Sequence, residues 1–160
     1  MNFKTFKLLT VLTLVLTTTF TSYGQNSDNE ITLIQELFGL EKTEMLSDLL
    51  GDVNDDFWVV YKEYETKRMN LGKTRLALIN DYSDSYDNLT DDKIDQLLKD
   101  MQNQSKNLEK LINQYTQKIK KVSGSKVAAQ FYQLETYLLA AVRVKIMESI
   151  PLIGELEPQY

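Results

Sequence analysis

The chain has 160 residues, 42% of them hydrophobic and 26% charged, with six Gly, two Pro, no Cys, no His and a formal net charge of −5. This composition excludes disulfide scaffolds and Gly/Pro-rich polymers, along with zinc, haem and thiolate sites built on Cys or His and the Ser-His-Asp and Cys-His relays. The acidic balance argues against nucleic acid and anionic lipid as partners, because like charges repel and no counterion release compensates.

In chain order, Lys4 and Lys7 precede an apolar, Thr-rich run from Leu8 to Phe20, and Ser22-Tyr23-Gly24 forms a small-x-small cleavage pattern. This reads as a secretory signal over residues 1–24, and cleavage after Gly24 leaves 136 residues with a net charge of −7, since both lysines depart. The run is short for a membrane span, lacks a basic stop-transfer flank and is followed by no lipobox Cys. The expected product is therefore periplasmic or secreted, with no membrane insertion after signal removal. An exported chain without disulfides must be held by burial between long amphipathic elements.

Apolar residues recur at Ile31, Ile34, Phe38, Met45, Leu46, Leu49 and Leu50, predicting a first helix, with a break at Gly39 left open and Gly51 as its C′ residue. Asn54 is the expected N-cap of a second helix over about 55–86, with Asp55 and Asp56 at the positive end of its dipole. Its seam is Phe57, Tyr61, Tyr64, Arg68, Leu71, Arg75, Leu78 and Tyr82. Thr90 caps a third helix to about Lys121, whose 4-3 alternation predicts burial of Ile94, Leu98, Met101, Leu108, Ile112, Tyr115 and Ile119 against the second. Ser123-Gly124-Ser125 ends it and caps a fourth helix, about 126–150, stopped by Pro151. No segment alternates with period two. The expected fold is all-α, with four helices built around a long antiparallel helical hairpin, in a single helical domain over 25–150 with a tail at 151–160.

Charges interrupt these seams at Arg68, Arg75, Glu135 and Arg143. Helices two and four should run parallel, which brings Glu135 level with Arg68 and puts Arg75 one heptad further. An unpaired charge there carries a desolvation cost, so these four predict a structural ion network in which Glu135 accepts from Arg68 or, second, from Arg75. Tyr61, Tyr64, Tyr115 and Phe131 read as core. Trp58, Tyr132, Leu139 and Ile146 are the candidate partner-binding surface, as apolar residues that four-helix packing would leave uncovered. The carboxylates Asp81, Asp84, Asp87, Asp91, Asp92 and Asp95 cluster around one turn. They fail the calcium-loop pattern and read as caps on a wet turn, with a weak divalent-cation site as the alternative. No phosphate loop, nucleophile elbow or other catalytic signature is present, so neither enzyme activity nor a cofactor or resident metal is expected.

The export signal, the short helix leading into a long helical hairpin, the helix start Leu89-Thr90-Asp91-Asp92-Lys93 and the segment Val122 to Lys126 followed by Gln130-Phe131 together resemble the Spy/CpxP-like family of periplasmic helical proteins. Lys93 stands where that family's LTxxQ box has Gln. The segment Phe57 to Tyr64 also resembles small secreted stress-sensor-like proteins of unknown function. The resemblance implies a chaperone or envelope-stress accessory that binds a protein client or a sensor domain reversibly. A structural or interaction subunit of an envelope assembly is the alternative, and a homodimer is left open.

Overall fold

The computed structural model describes residues 27–153, with side chains from Gly39 onward except Ser149. The signal segment, the side chains of Ile31, Ile34 and Phe38, and residues 154–160 lie outside the described residues. Among the described residues every regular element is helical: α1 (Ser27–Leu50), α2 (Asp55–Ser85), a short 3-10 turn (Tyr86–Asn88) and α3 (Asp91–Ser149).

The local punctuation follows the residue types. Gly51 takes φ 67°, a left-handed conformation open to a residue without Cβ, and its N–H closes α1 on Ser47 O at 3.0 Å. Asn54 caps α2, its Oδ1 accepting from Phe57 N, and Thr90 caps α3, its Oγ1 accepting from Lys93 N. Ile150 is extended before Pro151, where the proline ring disfavours helix in the preceding residue.

The third and fourth expected helices form one element. α3 is interrupted rather than ended at Gly124, whose φ 86° and ψ 172° leave the helical region for a single residue. Helical backbone resumes directly beyond it, so residues 91–123 and 125–149 are two arms of a kinked helix and three helices replace four. Asn54 braces the kink from outside: its Nδ2 donates to Val122 O at 2.8 Å, and its Oδ1 accepts from Ser123 Oγ at 2.8 Å. A cap residue of α2 thus also holds a backbone carbonyl of the last turn before the kink.

Contacts from α2 to the first arm run in reverse chain order. Lys118 pairs with Glu63 at 2.9 Å, Gln104 Nε2 donates to Leu71 O at 2.6 Å and Lys93 pairs with Asp81 at 2.5 Å. Contacts to the second arm and beyond run in the same order: Tyr64 Oη donates to Glu135, Tyr82 Oη to Pro151 O and Tyr86 Oη to Leu152 O. Where α1 also joins, Leu46, Phe57, Tyr61, Tyr64, Ile112, Tyr115, Ile119 and Phe131 form a continuous buried core. Its rings meet in the arrangements that ring quadrupoles favour: Tyr64 and Phe131 lie edge to face, 5.0 Å apart at 84°, Tyr64 and Tyr115 are tilted, 5.5 Å apart at 56°, and Phe57 and Tyr61 are stacked at 5.8 Å.

The seam of α3 departs from expectation near its start. Leu108, Ile112, Tyr115 and Ile119 are buried and Ile94 is half-buried, but Leu98 is 53% exposed and Met101 is also exposed. Leu97, Gln104 and Leu111 take the inward positions instead. A straight helix drifts by about 20° per heptad against a strict seven-residue repeat, so a stripe aligned at Tyr115 has rotated off the interface two heptads earlier.

Candidate functional site

A cluster of ionised side chains crosses the interior between α1, α2 and the second arm of α3. Lys42 and Leu46 share one face of α1 and are both fully buried. The Lys42 ammonium pairs with Glu65 of α2 and with Glu135 Oε1 of α3, the latter at 2.8 Å. It also stands 5.0 Å from the Tyr64 ring centroid, within cation–π range. Arg68, one turn along α2, forks onto Glu65, with Nε 3.0 Å and Nη2 3.0 Å from Oε2. Gly39 on α1 faces this pair, and a Cβ there would stand in ordinary van der Waals contact with Glu65 Oε2, at 3.4 Å.

Glu135 accepts from Tyr64 Oη at 2.6 Å. Burial and the charges of Glu135 and Glu65 push the Tyr64 phenol far above its ordinary value, so it is a permanent donor. For Glu65 burial acts upward, but Lys42 and Arg68 outweigh it and hold the carboxylate below its ordinary value.

Of the four charges expected to form a network, Glu135 and Arg68 sit in this cluster, joined through Lys42 and Glu65. The partners of Glu135 are Lys42 and Tyr64 in place of the expected arginine, because α1 inserts a cation between the two seams. Arg143 turns outward, donating to Ser105 Oγ at 2.6 Å and Glu109 Oε1 at 3.1 Å. Arg75 has neither a hydrogen bond nor an ion pair among the described residues. Burial, with the guanidinium charges of Arg143 and Arg68, brings its pKa down to about 10. It lines a half-open cleft of about 60 Å³, together with Arg68, Gly72, Gln104, Glu135 and apolar side chains of both arms.

The candidate partner-binding residues are dispersed. Trp58 on α2 is half-buried, edge-on to Phe57 at 4.9 Å and to Tyr61 at 5.9 Å. On the second arm Tyr132 is exposed, Leu139 is half-buried in the wall of the cleft and Ile146 is half-buried. Further apolar side chains of the same arm are more open: Tyr137 is 50%, Val144 54% and Met147 64% exposed. At the acidic turn Asp81 is engaged by Lys93, and among the described residues no group of three acidic side chains is placed to hold a metal ion.

No family model matches the chain, and no curated protein or solved structure matches it either. Lys42 and Glu65, the hub of the cluster, escaped the sequence reading. Their signal was present but local: Lys42 falls on the same helical stripe as Leu46 and Leu50, and Glu65 lies three residues before Arg68.

Proposed function

We propose that this protein is an exported, Spy/CpxP-like helical binding protein, acting as a chaperone or envelope-stress accessory by reversible contact with a protein client or sensor domain. In this reading the chain is a four-segment bundle built on an antiparallel hairpin of α2 and the first arm of α3, and the second arm presents the binding face. The observation that carries it is the open apolar series Tyr137, Val144 and Met147, spaced by seven and three residues along that arm, with exposed Leu152 and Ile153 just past its end. Apolar side chains recurring on one helical face form a stripe, and exposed apolar patches on soluble chains mark contact sites more often than they are neutral. Tyr132 and Ile146 lie on the same arm but on other faces, and Trp58 and Leu139 stand beside the core, so these four are separate contact points in this reading. Binding requires no cofactor, metal or covalent step.

The test is light scattering from a chemically unfolded test protein diluted into the purified chain. Suppression at several-fold excess is expected, and a Tyr137→Ser/Met147→Ser variant should lose most of it while melting like the parent. No suppression by the parent would sink the chaperone reading. Export is checked separately by N-terminal sequencing of the protein recovered outside the cytoplasm, which should begin at Gln25.

A further inference from the structure

The cleft beside the ion cluster is unbalanced in charge. Its lining sets Arg68 and Arg75 against Glu135 alone, and that carboxylate is already engaged by Lys42 and Tyr64, as Glu65 is by Lys42 and Arg68 and Glu109 by Arg143. Among the described residues Arg75 is the cation left over, and it lines the cleft. A second group there is also incomplete. Gln104 is buried, its Nε2 is committed to Leu71 O at 2.6 Å, and its Oε1 is enclosed without a donor among the described residues. Because a carbonyl only accepts, the bond to Leu71 fixes the amide orientation and leaves Oε1 as an acceptor.

We infer that this cleft is a carboxylate-binding site whose occupant is a small aliphatic monocarboxylate, either free or as the C-terminus of a peptide. The guanidinium fork of Arg75 matches a carboxylate in two-point geometry. Leu108, Ile112, Leu138, Leu139 and Val142 supply apolar walls that suit an alkyl group and give a fully hydrated phosphate or sulfate nothing. Glu135 lines the same cleft and opposes a second negative charge. The volume of about 60 Å³ suits the carboxylate head itself, and the open side of the cleft leaves room for the alkyl group to extend outward. Gln104 Oε1 is an acceptor for the N–H that accompanies a peptide's terminal carboxylate.

Propionate, propionamide and the tripeptide Ala-Ala-Ala as free acid and as C-terminal amide are titrated into the purified protein at constant ionic strength, with melting midpoint and calorimetric binding as readouts. Propionate should raise the midpoint and bind, while propionamide should do neither. Arg75→Met should weaken propionate binding by roughly tenfold or more, and Arg75→Lys, which keeps charge without the fork, should weaken it less. Val142→Phe should block the cleft with Arg75 intact, its fold checked by circular dichroism. A free-acid tripeptide binding more tightly than propionate supports the peptide-terminus source, and weaker binding supports the free small acid. An amidated tripeptide equal to the acid, a propionate response no larger than that of chloride, or one that survives Arg75→Met would overturn the site.

Discussion

On the side of the ion cluster nearest Gly51 and Gly124, α1, α2 and both arms of α3 meet around Phe57, Tyr61, Tyr64, Tyr115, Ile119 and Phe131, all buried. On the side beyond Arg75, Leu76, Leu78, Ile79 and Ile94 are only half-buried, Leu98 and Met101 are exposed, and Tyr82 and Leu97 are the enclosed side chains. The far end is fastened by polar contacts instead, Tyr82 to Pro151 O, Tyr86 to Leu152 O and Lys93 to Asp81. Burial scales with apolar area removed from water, whereas exposed hydrogen bonds and ion pairs exchange one set of polar partners for another and contribute little net. Most of the stability should therefore reside at the aromatic end.

The sharpest way to break that comparison is a matched pair of truncations. Phe131→Ala removes a fully buried ring in contact with Tyr61 and Tyr64, and should cost about 3 to 5 kcal/mol. Leu98→Ala at the other end, where the side chain already meets water, should stay within about 0.5 kcal/mol. Urea melts of both variants give the answer; equal losses would mean that the far end packs as tightly as the aromatic one.

Lys42→Met probes the boundary between the two regions. It leaves Glu135 with Tyr64 alone and Glu65 with Arg68 alone, and removing one partner of a buried pair should cost about 3 kcal/mol. Adding Glu135→Gln, which removes the stranded charge and keeps an acceptor for Tyr64, should recover more than half. A double variant no more stable than the single would show that the two charges do not act as a pair.

What was legible before the structure, and what was not, divides by range. Asn54, Thr90, Gly51 and Pro151 announced helix ends because capping and backbone conformation are decided within a turn. Gly124 announced a break, but whether the chain stops or merely bends depends on bracing from Asn54, nearly 70 positions away. The α2 seam was legible because its large rings fix the phase of the helix. The α3 seam was legible only where Tyr115 and Ile119 anchor it, since Leu97 and Leu98 compete for the same role two heptads earlier. Arg68 and Glu135 were found as seam charges, but Lys42 belongs to an element whose packing angle no periodicity specifies.

Acid should weaken the boundary next. Glu65 is held below its ordinary carboxylate value in the folded chain, so the unfolded chain takes up its proton first. The stability it contributes is fully present above about 4.5, its ordinary value, and drains as pH falls through the lower folded value. Wild type should lose stability steadily below that point, and Glu65→Gln should be weaker at neutral pH with a flatter acid limb. An acid limb of unchanged slope in the variant would remove Glu65 from the account.

Arg75 gives the smallest expected effect, and one of opposite sign. Its pKa of about 10, against an ordinary 12.5, means that the folded chain disfavours its charged form, and no carboxylate among the described residues offsets that. Arg75→Met keeps most of the apolar stem that lines the cleft and removes the cation. It should stabilise by about 1 kcal/mol, raising the melting midpoint by roughly 2 to 4 °C. The sign carries through to pH. The wild-type penalty is constant below about 10 and is relieved between there and 12.5, so the variant's advantage should hold at neutral pH and shrink above pH 10. A variant less stable than wild type at neutral pH would mean that Arg75 already has an acidic partner in the folded protein, placing it with the paired charges of the cluster.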